Sequence, residues 1–141
     1  VDRSRGLGDV YKRQGKITDK MNVVFGYTSM DGKTSSGGEP REIPDNMLSL
    51  FATYEVSDKF GWALGMTKQG ESNIGNNKPG LVLPEYTRVD LAAYYQIADD
   101  LSVQMNIENL TDELYFPHSH STDQASVCRE RNVRVSLTRS F

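Results

Sequence analysis

Long apolar runs are absent from this sequence of 141 residues, of which 37% are hydrophobic. No stretch approaches the roughly 18 consecutive apolar residues that a transmembrane helix needs. The sequence therefore predicts no membrane-spanning helix. The mean hydropathy of −0.56 still leaves membrane-spanning strands open, because the inward-facing half of such a strand is polar.

Cysteine is almost absent, and positive charge is not in excess. Cys128 is the single cysteine, so no disulfide within the chain is possible. The formal net charge is −3 and the isoelectric point is near 5.4. This balance argues against nucleic acid as a partner, because clusters of Lys and Arg bind the phosphate backbone.

Residue types that carry chemistry are sparse. His118 and His120 stand close enough to approach one metal ion, with Asp123 or Cys128 as the nearest further ligands. A solvated pair in a loop is the commoner explanation, and no metal site is predicted. No supported Ser/His/Asp arrangement and no glycine-rich phosphate loop occurs in the sequence. We therefore expect neither an enzyme nor a bound cofactor.

Strict alternation of apolar and polar residues marks residues 101–107. The apolar positions are Leu101, Val103, Met105 and Ile107, and the residues between them are polar. A period of two places alternate residues on opposite faces of a β-strand. The same period recurs in five further segments, which are 21–30, 46–56, 60–69, 86–97 and 132–141. The pattern predicts an all-β fold of six antiparallel strands arranged as three hairpins.

The connections between these segments alternate in length. Short turns are predicted at 18–20, 57–59 and 98–100, and long loops at 31–45, 70–85 and 111–131. A compact soluble domain rarely carries three loops of this length. Outer-membrane barrels have short turns at one end and long loops at the other. A strand of ten residues, tilted by about 40°, also rises roughly the 25 Å of the apolar band of such a barrel.

Aromatic residues gather near the short turns. Those on the outward side by strand parity are Tyr54, Phe60, Trp62, Tyr95 and Phe141. This placement predicts an aromatic girdle at one membrane interface, although aromatic residues in a soluble β-sandwich are the alternative. Arg139 has the same parity. An arginine costs about 2–4 kcal/mol at the bilayer midplane and about 0–1 near an interface, so an interfacial position is expected.

Residues 1–14 are basic and lack a period. Four positive charges, Arg3, Arg5, Lys12 and Arg13, stand against Asp2 and Asp9. A partner-binding arm, a disordered tail and a non-native leader are three interpretations. The segment resembles a leader on proteins translated from fragmentary environmental sequence. We therefore expect it to be unstructured and assign residues 15–141 to the fold.

A specific motif follows the strand at 101–107. Asn106 is followed by Asn109-Leu110-Thr111-Asp112 and then by Tyr115. After one long loop, an alternating strand closes on Phe141. This arrangement resembles the last two strands of TonB-dependent outer-membrane receptors. The resemblance is strong over residues 43–141 and weaker over 17–42.

The resemblance implies a particular architecture. Receptors of this family have a barrel of about 22 strands whose lumen is closed by a plug. Six strands are too few to close, and open edges in lipid would leave backbone groups unpaired. The sequence has no signal peptide, plug or TonB-contacting segment. We therefore expect the C-terminal part of a barrel in the bacterial outer membrane.

The resemblance also implies a function and partners. The full protein is expected to bind a ferric siderophore and import it with energy transmitted by TonB through the missing plug. Its other expected partner is outer-membrane lipid. Haem, cobalamin and glycan remain alternative ligands, and a passive porin-like barrel is an alternative function. A soluble β-sandwich is a third possibility, but the sequence lacks a second set of apolar strands.

Two groups of residues are candidates for the site. The last long loop contains the predicted ligand contacts Tyr115, Phe116, His118, Arg129 and Arg131. Aromatic rings and arginines suit an anionic, aromatic iron chelate, whereas an ordinary polar loop is the alternative. The residues predicted to face the lumen or the plug are Arg88, Asp90 and Arg134. Arg88 and Asp90 could form an ion pair there.

Overall fold

The structure is a computed structural model in which every regular element is a strand. It describes residues 5–33, 35, 37–38, 40–75, 81–121 and 123–140, with side chains described from residue 9 onward. The strands are β1 (Arg5–Thr18), β2 (Met21–Lys33), β3 (Asn46–Ser57), β4 (Phe60–Gln69), β5 (Ser72–Asn73), β6 (Val82–Leu83), β7 (Tyr86–Ala98), β8 (Leu101–Glu108), β9 (His118–Ser121), β10 (Gln124–Ser126) and β11 (Asn132–Arg139). No helix within these ranges has the length and apolar character that a membrane crossing requires.

Seven strands form one antiparallel sheet in the order β1-β2-β3-β4-β7-β8-β11. The six strands predicted from alternation are β2, β3, β4, β7, β8 and β11. The all-β, antiparallel prediction is confirmed. Two small hairpins, β5-β6 and β9-β10, lie within the second and third predicted loops.

The first strand corrects the prediction of an unstructured leader and of six strands. Residues 5–14 belong to β1, which pairs with β2 from Arg5 opposite Lys33 to Thr18 opposite Met21. Backbone hydrogen bonds between strands do not depend on side-chain alternation, so an aperiodic segment can still pair. Residues 1–4 lie outside the described part of the chain. The non-native origin of the segment stays a prediction.

The predicted asymmetry of the connections is present. Two-residue turns join β1 to β2, β3 to β4 and β7 to β8, at residues 19–20, 58–59 and 99–100. In the second of these turns, the Ser57 hydroxyl accepts a hydrogen bond of 3.1 Å from the Phe60 amide. The long connections consequently leave the sheet at its opposite end, which places the second and third loops beside each other.

The register keeps the two faces of the sheet separate. Phe25, Leu50 and Met66 lie opposite one another on the outward face across three strands. The neighbouring row, Val24, Phe51 and Gly65, lies on the inward face. Facing residues share one side of a sheet, so the predicted outward parity of these positions is continuous from strand to strand.

The sheet has almost no buried core. Its outward side chains near the final strand remain open, with Val135 64% and Leu137 67% exposed. In the described residues, the buried apolar side chains are Pro44, Ala52, Leu83 and Tyr115. A soluble sandwich would cover this apolar face with a second sheet, whereas the only other sheets among the described strands are the two small hairpins in the loops. The exposed face instead suits a wall that is solvated by lipid.

Aromatic pairs occupy the turn end of the outward face. The ring centroids of Tyr54 and Trp62 lie 5.8 Å apart, and those of Phe60 and Tyr95 lie 6.5 Å apart. Arg139, at the same end, forms an ion pair of 2.9 Å with Asp100 in the turn. The fifth predicted girdle residue, number 141, lies outside the described residues.

Candidate ligand-binding site

A corner at Asn109 fixes the base of the last long loop. Asn109 has a φ of 53° and is only 2% exposed. Its side-chain amide donates to the carbonyls of Glu113, at 3.0 Å, and Arg129, at 3.2 Å. Its amide oxygen accepts from the Glu113 N–H at 3.0 Å. Because Asn tolerates the left-handed region and can bond locally, this residue of the predicted motif joins both stems of the loop.

Asp90 connects that corner to the inward face of the sheet. One of its carboxylate oxygens accepts from the Asn109 backbone N–H at 2.9 Å and from Arg88 Nε at 2.8 Å. Arg88 and Asp90 therefore form the ion pair considered from the sequence. The pair is less than half exposed, so the orientation of Arg88 depends on a residue that is itself held by the loop base.

Tyr115 lies against the wall rather than out in the loop. Its ring stacks on that of Tyr86, with centroids 4.2 Å apart and planes inclined by 18°. Its hydroxyl accepts a hydrogen bond of 3.4 Å from the Arg88 guanidinium. The Cys128 N–H donates to the Tyr115 carbonyl at 2.9 Å, and Tyr115 is 8% exposed. The stacked pair thus forms a rigid aromatic surface beside Arg88.

Two cavities meet at Arg88 and Asp90. The outer cavity, nearer the long loops, has a volume of about 370 Å³. Its lining consists of Thr67, Gln69, Tyr86, Arg88, Asp90, Tyr115, Pro117 and His118. The inner cavity, of about 380 Å³, lies on the inward face and includes Phe51, Gly65, Asn106 and Arg134. The Arg88–Asp90 ion pair is therefore accessible from both sides.

The structure brings together only some of the predicted site residues. Tyr115 and His118 line the outer cavity, and Arg134 lines the inner one. The half-buried Phe116 and the exposed Arg129 and Arg131 line neither.

The backbone groups of Arg129 and Arg131 stabilise the base of the last long loop. The Arg129 carbonyl accepts from Asn109, and the Arg131 N–H donates to Asp112 at 2.7 Å. Ligand contact by Phe116, Arg129 or Arg131 stays a prediction.

Sequence reasoning missed Tyr86 as a site residue. Tyr86 opens β7 and shares inward parity with Arg88, so the alternation contained a usable signal. Its hydroxyl donates to Gln69 at 3.2 Å, which fixes the ring that stacks on Tyr115. Across the described ranges, no three side chains of His, Cys, Asp or Glu converge as metal ligands.

Residues 8–110 match the protein family described as "TonB dependent receptor-like, beta-barrel". The chain belongs to this family. Its members are outer-membrane barrels, so the sheet is part of the wall of such a barrel. The soluble β-sandwich is thereby excluded.

Individual relatives are receptors. The metal-pseudopaline receptor CntO of Pseudomonas aeruginosa is 26% identical over 150 residues, which cover 98% of this chain and 21% of that protein. The chain thus spans about a fifth of the length of such curated relatives. The matched proteins are named as receptors rather than enzymes, as the sequence predicted.

Solved receptor structures share the fold. The siderophore receptor PiuA from Acinetobacter baumannii superposes with a TM-score of 0.81 at 25% identity, covering 99% of this chain and 22% of that one. The ferripyoverdine receptor of Pseudomonas aeruginosa, bound to ferripyoverdine, gives a TM-score of 0.84 at 28% identity. That superposition covers 99% of this chain and 20% of the receptor.

Proposed function

We propose that this chain forms the C-terminal wall and part of the outer mouth of a receptor that imports a ferric siderophore with energy transmitted by TonB. The observation that carries the proposal is the outer cavity, where Arg88 and His118 stand beside the Tyr86–Tyr115 stack. The names of the relatives support the ligand class, because several are receptors for siderophores.

Arg88 is the central contact in this proposal. A guanidinium carries five N–H donors, and the hydrogen bonds of Arg88 use Nε towards Asp90 and Nη1 towards Tyr115. Donors therefore remain for an anionic group in either cavity. Planar guanidinium groups also stack on aromatic rings, which suits a chelate that combines negative charge with aromatic rings.

The other residues have supporting roles. The exposed side chain of His118 closes the outer cavity from the loop side. Arg134 also lines the inner cavity and offers a second positive charge to a ligand that moves from the outer cavity to the inner one. Asp90 lines both cavities beside Arg88 and orients its guanidinium group. The barrel contributes binding surface and carries out no covalent step.

The test uses the intact receptor that contains this segment, in cells without other receptors for the chelates offered. Uptake of labelled ferric hydroxamates, ferric catecholates, haem and cobalamin would be compared with and without TonB. Saturable, TonB-dependent uptake of a ferric siderophore is expected. Uptake of haem or cobalamin alone would replace the ligand assignment, and uptake that persists without TonB would favour a passive channel.

A point variant links uptake to the cavity. Replacing Arg88 by Gln should weaken binding about tenfold or more, since hydrogen bonds to charged groups contribute about 1.5–3 kcal/mol. Arg139→Gln removes the same charge at the turn end of the sheet, outside both cavities, and should bind as wild type. Equal affinity of the Arg88→Gln variant and the wild type would contradict the site.

A further inference from the structure

Ser119 is held by side chains from a different loop. The residue belongs to β9 and is only 3% exposed. Its N–H donates to Glu42 Oε1 at 2.7 Å, and its hydroxyl lies 3.4 Å from the same oxygen. The Arg41 guanidinium donates to the Ser119 carbonyl. Two side chains thus satisfy both backbone groups of one residue, as a neighbouring strand would.

The same dipeptide contacts the second long loop. The Glu42 N–H donates to the Asn73 carbonyl at 2.9 Å, and Arg41 forms a parallel β-bridge with Asn73. Pro44 and Ser72 form a second bridge beside it. The first, second and third loops therefore meet at residues 41–42, although these contacts join residues up to 78 positions apart.

The backbone at Glu42 adopts a conformation that local preference disfavours. Its φ is 58°, in the left-handed region that residues other than glycine and asparagine rarely occupy. Such a conformation persists where surrounding contacts determine it. At Glu42 these contacts are the hydrogen bonds to Asn73 and Ser119, which indicates that the junction is specific.

The junction lies directly beside the outer cavity. His118, which precedes Ser119 in β9, lines that cavity together with Tyr86 and Arg88. The position of β9 therefore decides whether the cavity is covered from the loop side. The contacts between the first and third loops at the junction are polar, and the Arg41 and Glu42 side chains are 34% and 37% exposed. Contacts of this kind can open without unfolding the sheet.

We propose that Arg41 and Glu42 form a clamp on Ser119 that ties the first loop to the third and holds β9, with His118, in position beside the outer cavity. The clamp itself depends only on the contacts described above. Its role in retaining a ligand rests on the proposed function. Glu42 acts through β9 and is a positioning residue that does not touch the ligand.

The clamp is tested without ligand in the intact receptor. Spin labels would be attached in Ser35→Cys and Gln124→Cys variants, in a background in which Cys128 and any other reactive native cysteine of the receptor are replaced by Ser. The wild type should give one narrow distance distribution. Glu42→Ala should broaden it, and Glu42→Asn should do so as well, because Asn tolerates the backbone conformation but is too short to reach Ser119. Glu71→Ala, which removes a carboxylate from the neighbouring loop, is the control.

Ligand retention is then measured on the same variants. Loss of a hydrogen bond to a charged group predicts dissociation of a ferric siderophore about tenfold faster in Glu42→Asn than in Glu71→Ala. An unchanged distance distribution in both Glu42 variants would overturn the clamp. Broadened distances with unchanged dissociation would overturn its role in retaining the ligand. Broadened distances in a receptor that binds no ferric chelate would support the clamp and refute the proposed function instead.

Discussion

The phenol ring of Tyr94 lies over Gly61, in the space that a Cβ atom of residue 61 would occupy. The two residues face each other on β4 and β7, on the inward side of the sheet. Gly65 lies on the same strand and face, but the nearest atoms to its added Cβ would be 3.9 Å away. A side chain is therefore excluded at one glycine by its partner and accommodated at the other.

Gly61→Ala should consequently destabilise the barrel, whereas Gly65→Ala should not. Forcing Tyr94 from its position is an overpacking change, and because this ring is 46% exposed and can turn aside, the cost should lie at the lower end of the usual range, about 1 kcal/mol. Resistance of the intact receptor to urea in detergent or lipid would measure the difference. In a Tyr94→Ala background, Gly61→Ala should lose most of its effect, because the atoms that it displaces are absent. An effect that persists in this background would show that Tyr94 is not the cause.

Substitution of Asn109 should destabilise the last long loop more than substitution of its exposed neighbours in the motif. Asn109→Ala leaves the Glu113 N–H and the Arg129 carbonyl without their side-chain partner and places Ala at a positive φ. Unsatisfied buried groups cost about 1–3 kcal/mol each, so the loop base should loosen. The expected result is faster proteolysis within residues 111–131 of the folded receptor.

Asn109→Gly separates the two causes. Glycine restores the backbone freedom but not the hydrogen bonds, so the rate of proteolysis of Asn109→Gly should lie between those of the wild type and of Asn109→Ala. Thr111→Ala, at an exposed residue of the same motif, is the control. If Asn109→Gly were cleaved as slowly as the wild type, the side-chain hydrogen bonds of Asn109 would contribute nothing to the stability of the loop base.

The strands were predictable because one face of the sheet contacts lipid and the other faces the lumen, so that apolar and polar residues alternate. Alternation located six strands of the sheet within a few residues, and the aperiodic β1 was missed because its outward row contains Asp9 and Arg13. The motif around Asn109 indicated a special position but not its contacts. The junction of Glu42 with Ser119 had no sequence signal, because a pair 77 residues apart is determined by how the loops fold back. Parity indicated Arg88 and Asp90 and applied equally to Tyr86, but the stacking of Tyr86 on Tyr115 could be found only from the structure.

The loop junction should weaken in acid. The hydrogen bond from the Ser119 N–H is the main cause that holds the pKa of Glu42 below its ordinary value of 4.5. Burial opposes it as the second-largest cause, and the charge of Arg41, the Ser119 hydroxyl and His118 add smaller lowering contributions. A carboxyl whose folded pKa is lowered stabilises the folded arrangement above its unfolded pKa, and this stabilisation disappears as the pH falls through the folded pKa.

Spin-label distances between the first and third loops should therefore be constant from pH 7 to about pH 5 and broaden below about pH 4.5. Glu42→Gln cannot ionise and should remove this transition. Broadening between pH 7 and 6 in both proteins would assign the response to another group.

The last strand allows a test of which face of the sheet contacts lipid, because two adjacent residues of this strand lie on opposite faces. Val135 lies on the outward face opposite Met105, and Ser136 lies on the inward face opposite Gln104. Val135→Arg should destabilise the receptor in lipid by about 2–4 kcal/mol, the cost of an arginine near the bilayer midplane, while Ser136→Arg should be tolerated in the aqueous lumen. Arg139 shows that the outward face accepts arginine at the turn end, where Asp100 pairs with it. Removing it as Arg139→Ala should change stability by less than about 1 kcal/mol, since the pair is exposed. Equal losses for Val135→Arg and Ser136→Arg would show that the two faces do not meet different solvents.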